Sequence, residues 1–187
     1  TKFSIVQKQA ISIQINSLRK KNIYPVFYYR KKSKSFLKKL LQELSINSHL
    51  PLENFTDINV QGDGIYFVLI KDDISFFNKS PNRRRKKLKV NERGLNIIEG
   101  IWFYLMYPNV LYRKSIDLID TTYRVECTPT LYSWDNKIFL SAISSDVSDS
   151  MCRAPIVIAS TNLGLGDLAK PDIISSKIGA LSDAYIK

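Results

Sequence analysis

Ile65-Tyr66-Phe67-Val68-Leu69-Ile70 is an unbroken run of aliphatic and aromatic side chains, and it limits the folds open to this chain more than any other segment. A strand with one wet face alternates apolar and polar residues. A continuous apolar run of strand length belongs to a strand buried on both faces. Gln61-Gly62-Asp63-Gly64 precedes the run and closes a polar, turn-rich stretch that begins at Asn47.

Around this strand the periodicity predicts helices first and strands later. Phe3, Val6, Ala10, Ile13 and Leu18 recur at helical spacing up to Arg19-Lys20-Lys21, which predicts an amphipathic helix over residues 3–20. Ile11, Ile13 and Ile15 also alternate, so a strand stays open there. Pro25 breaks the helix in a short segment over residues 23–29. Phe36, Leu37, Leu40, Leu41 and Leu44 define a second helix, with Ser35 as its cap. Asn96-Ile97-Ile98-Glu99 has the spacing of a capping box and starts a helix that stops before Pro108.

Asp135-Asn136 links two apolar runs and signals a hairpin. Residues 155–159 read as one more strand. The expected architecture is α+β: N-terminal helices packed on a small, largely antiparallel sheet containing 65–70, 129–134, 137–143 and 155–159. Residues 1–159 form the single domain expected for this length, and 160–187 form a C-terminal tail able to dock on a partner.

Several short motifs fall in the same order as in an uncharacterised bacterial family, a domain of unknown function common in actinobacteria. They are Gly64-Ile65-Tyr66-Phe67-Val68, Arg93-Gly94-Leu95 leading to Glu99-Gly100, Pro108-Asn109-Val110-Leu111, Pro129-Thr130-Leu131-Tyr132-Ser133-Trp134 and Ser150-Met151-Cys152-Arg153. The chain resembles that family over residues 5–155. It departs from it in the Ser/Asp-rich stretch 144–150, the basic cluster 83–87 and the tail. The resemblance implies one compact α+β domain and carries no activity.

Function is bounded by charge. Residues 1–93 hold 20 Lys/Arg against 7 Asp/Glu, and the remainder hold 8 against 10. A one-sided basic surface attracts polyanions or acidic partners. The candidate contacts are Arg30, Lys31 and Lys32, then Arg83, Arg84, Arg85, Lys86 and Lys87, with the arginines as bidentate contacts to phosphate or carboxylate. Tyr24, Phe27, Tyr28 and Tyr29 lie beside the first cluster and could stack on bases. The expected function is a non-enzymatic binding or assembly subunit contacting nucleic acid or an acidic protein surface.

The alternative is a thiol-dependent enzyme using Cys152, whose neighbour Arg153 could favour a thiolate. His49 is the sole histidine, so a base is scarce and an enzyme is the weaker reading. Two cysteines and one histidine offer no metal-ligand spacing. Gly62-Asp63-Gly64 and Gly164-Leu165-Gly166 are too short for phosphate loops, so no cofactor is expected. The longest apolar run, residues 101–107, falls far short of the ~20 residues of a membrane span. Reduced cysteines and the lack of a signal pattern at Thr1 point to a soluble cytoplasmic protein.

Overall fold

The computed structural model describes residues 15–31, 33–59, 62–72, 78–112 and 114–162. Within them the chain is α+β, with its strands divided between two sheets. The first sheet has the order β1-β4-β11-β5 and is antiparallel throughout: β1 (Ile23–Arg30), β4 (Gly64–Lys71), β11 (Ile156–Asn162) and β5 (Arg93–Gly94). The second is built on the hairpin of β8 (Cys127–Trp134) and β9 (Lys137–Ser144). The free edge of β8 takes β6 (Ser115–Asp117) and β7 (Thr121–Tyr123) in succession. β3 (Phe55–Asp57) extends β7, while β10 (Cys152–Arg153) pairs parallel to β6 and β2 (Ile46–Asn47) parallel to β9.

The expected single sheet is therefore corrected: 65–70 and 155–159 lie in one sheet, 129–134 and 137–143 in the other. Pairing between distant segments leaves no mark in local alternation, so the sequence could not divide them.

β4 explains its own composition. Tyr66, Val68 and Ile70 face the larger core, shared with Leu40, Ile101, Leu118 and Leu131. Phe67 and Leu69 face a second core with Leu18, Ile23, Ile156 and Ile158. One strand thus closes two apolar compartments, and a polar residue at any position from 66 to 70 would be buried. Pro25 lies in β1, which among the described residues is an edge strand, where a missing N–H costs no ladder bond on the outer side.

α1 is helical over 15–20, and the rest of the helix expected over 3–20 lies outside the described residues. α2 (Lys34–Glu43) buries Leu37, Leu40 and Leu41. Its cap is Ser33, whose hydroxyl accepts from the Phe36 N–H at 3.1 Å, and Ser35 sits inside the first turn. α3 (Pro81–Arg85) is a short helix capped by Ser80. α4 (Ile97–Met106) carries the expected capping box, with Asn96 accepting from the Glu99 N–H and Glu99 accepting from the Asn96 N–H. Asp135 and Asn136 both take positive φ, 49° and 56°, as a two-residue hairpin turn of the twisted type requires. β11 runs to Asn162, three residues past the expected domain edge, and the tail from 163 lies outside the described residues. Among the described residues no helix is long and apolar enough to cross a membrane.

Candidate functional site

The run at 83–87 behaves differently from a solvated loop. Arg84 is fully buried: it is ion-paired with Asp117, and its Nη2 donates to the Cys152 carbonyl at 2.8 Å. Burial pushes the Asp117 carboxyl up, against the opposing pull of Arg84 and the hydrogen bond from Thr130. Arg85 donates to the Ile119 carbonyl, the Thr128 hydroxyl and the Asn82 side chain, each at 2.8 Å. Both guanidiniums hold α3 onto the strands of the second sheet. The expectation that Arg84 contacts a phosphate is corrected, because it is fully buried; Arg85 is half-buried with its donors engaged by the protein. Arg83, Lys86 and Lys87 remain exposed.

A second buried network joins the first sheet to α4. Arg93 pairs with Glu99 at 2.5 Å, and the Tyr28 hydroxyl donates to the same carboxylate at 2.6 Å. Burial opposes the charge on Arg93, but Glu99 more than restores it and holds the guanidinium charged. Arg93 also lies 3.4 Å from Asp120, which accepts from Asn59. Burial pushes the Asp120 carboxyl up to about 7, with the hydrogen bond from Asn59 and the Arg93 charge pulling the other way.

The native state thus holds this proton up to about pH 7, whereas an unfolded aspartate loses it near 4. Between those values the folded form binds more protons than the unfolded form, so this group's contribution to stability is complete at low pH and falls as pH rises. The difference in urea stability between wild type and Asp120→Asn should shift between about pH 4 and 7 and level off above. A difference flat across that window would show that Asp120 is ionised throughout.

Cys152 is 2% exposed, with its sulfur 3.0 Å from the Ser115 hydroxyl. Burial, and then the Asp117 charge, push its thiol up to about 12. The Arg153 guanidinium is ion-paired with Asp72 instead of serving the thiol. A neutral, enclosed thiol stands against the nucleophile reading. Among the described residues no group of three His, Cys, Asp or Glu side chains could hold a metal ion.

The basic cluster that does reach a cleft is the first one. Arg30 ends β1, Ser33 caps α2, and a cleft of about 370 Å³ opens between them, lined by Lys31, Lys34, Asp57 and Ile97 among others. Arg30 is only 4% exposed at its side chain. Its Nη2 donates to Asp57 at 2.6 Å, and its Nε and Nη1 have no partner. Lys34 reaches the carbonyls of Leu52, at 3.2 Å, and Phe55. A neighbouring cleft of about 480 Å³ shares Lys34 and Glu53 and adds Lys38. Among the described residues no carboxylate pairs with Lys31 or Lys38, whereas Lys39 pairs with Glu43 at 3.6 Å. Lys32 lies outside the described residues.

Of the four aromatics expected near this cluster, Tyr28 is buried against Tyr66, and Tyr24 and Phe27 pack on Phe103 and Phe67. Tyr29 alone stays open, 38% exposed. A larger cleft, about 930 Å³, lies elsewhere, at the tip of the β8–β9 hairpin beside Tyr112, Trp134 and Met151. Its charged lining is mixed, with Lys114 against Asp135 and Asp149, so it offers no basic surface.

Sequence reasoning missed Asp57, Asp117, Asp120 and Glu99 as partners of the arginines. Their one local signal is an acid set between apolar neighbours, as in Ile116-Asp117-Leu118-Ile119-Asp120. No family model, no curated protein and no solved structure matches this chain.

Proposed function

We propose that the protein is a non-enzymatic binding domain that captures the phosphate backbone of a nucleic acid at the N-terminal end of α2. The supporting observation is the lining of the two adjoining clefts. Lys31, Lys34 and Lys38 border them, and Lys31 and Lys38 are exposed without a carboxylate partner among the described residues. Lysines placed this way neutralise phosphates and release counterions, so affinity is steeply salt-dependent and largely blind to sequence. The inward packing of Tyr24, Phe27 and Tyr28 favours backbone contact over base stacking. Arg83, Lys86 and Lys87 form a separate exposed basic patch on and after α3. The likeness to the actinobacterial family belongs to this proposal as a likeness of architecture and adds no activity to it.

Fluorescence anisotropy with a mixed-sequence single-stranded oligonucleotide tests the reading. Affinity should fall steeply between 50 and 200 mM salt. Lys31→Ala with Lys38→Ala should weaken binding about tenfold and flatten the salt slope by about 1.4, two contacts at ~0.7 each. Absent or salt-insensitive binding sinks the proposal. A complex with an acidic protein that survives nuclease would reassign the same surface to a protein partner.

A further inference from the structure

We infer that the cleft between Arg30 and the start of α2 is a discrete site for one phosphate group, with Arg30 as its anchor. The inference rests on the polyanion reading of this surface and specifies where a phosphate would be seated. Three observations converge on it. Arg30 is a buried cation held by Asp57 through one nitrogen, and Nε and Nη1 are left shielded and unbonded. Both forks of the guanidinium include the Nη2 held by Asp57, so Nε and Nη1 are two separate single donors, and a buried donor left unmet is incomplete without an acceptor.

The helix end supplies the second observation. The first N–H groups of a helix lack intrahelical partners. Ser33 serves Phe36, and the first turn carries Lys34 with no acidic residue. A cation at the positive end of the dipole is unfavourable unless an anion joins it.

The third is local charge. Arg30, Lys31 and Lys34 line the cleft against Asp57 and Glu53. Asp57 is already engaged by Arg30 and by the Thr121 hydroxyl at 2.7 Å. A phosphate at this point would accept from Arg30 and from the α2 N–H groups, with Lys31 closing over it. The group could be a phosphodiester of the backbone or a terminal phosphate monoester. Both present the same oxygens.

Nitrogen-15 NMR of the full chain decides the matter. Titration with inorganic phosphate should shift the Arg30 Nε–H resonance and the Lys34 and Ser35 amides together, with saturation. Arg30→Lys, which keeps the charge beside Asp57, should weaken phosphate at least tenfold. If that variant fails to fold, the wild-type Nε–H titration is sufficient by itself.

An oligonucleotide carrying a 5′-phosphate that shifts Arg30 at lower concentration than its unphosphorylated twin assigns the site to a terminal monoester. Equal behaviour assigns it to the backbone. If phosphate leaves Arg30 and the α2 amides unmoved while the oligonucleotide still binds through Lys31 and Lys38, the inference is overturned and the polyanion reading stands. If phosphate moves Arg30 but no oligonucleotide binds, the site stands and the polyanion reading falls.

Discussion

Arg84→Met should destabilise the protein by about 3–5 kcal/mol in urea unfolding, because it strands the Asp117 carboxylate in the interior. The substitution removes the ion pair and the bond to the Cys152 carbonyl, at a site where neither partner is open to water. Asp117 can answer by taking up a proton, and burial already pushes its carboxyl up. That response would move the loss toward the lower end of the range at acidic pH. Arg84→Met combined with Asp117→Leu should recover most of the loss, since an apolar pair of similar volume needs no desolvation. A loss under ~1 kcal/mol for the single variant would place Arg84 outside the core.

Gly94→Ala is the second severe change. A methyl group there would overlap the Ile119 side chain and lie 2.8 Å from the Asp120 backbone nitrogen and 3.0 Å from the Ile119 carbonyl carbon. Backbone cannot step aside as the end of a side chain can, and Gly94 is also paired to Ile156 of β11. A cost at or above the top of the ~1–3 kcal/mol range for overpacking follows, with loosening of the β5–β11 edge. Gly100→Ala is the internal control. The three atoms nearest its methyl all belong to the Leu118 side chain, whose end can turn aside as backbone cannot. Thermal melts should rank Gly94→Ala well below Gly100→Ala, and the reverse order would refute the packing described for β5.

Several of the short motifs in the sequence have a structural role. Arg93 and Glu99 form a buried ion pair, Gly94 and Gly100 admit Ile119 and Leu118, and Cys152 and Arg153 make β10. These residues maintain an architecture. None of them lines the clefts beside α2.

Features carried by neighbouring residues were legible in the sequence. The β4 run, the Asn96 capping box and the Asp135-Asn136 turn each depend on chemistry within a few positions. The split into two sheets was not, since β4 and β11 meet across some ninety residues. The arginine run misled for the same reason. Five adjacent cations look solvated, and the strand and loop partners that draw two of them inward stand 33 to 68 positions away. The cap of α2 was displaced by two residues because Ser33 and Ser35 are chemically alike. The basic cluster at Arg30 and Lys31 was legible as charge, but its cleft was not, because Asp57 and Phe55 come from another strand.

The shared wall of β4 has one further consequence. With a core on each side, loss of β4 opens both compartments at once, so the two should unfold together. α2 packs into one of those cores and β11 borders both. Occupancy of the α2 end would therefore be felt as slower amide exchange along β11.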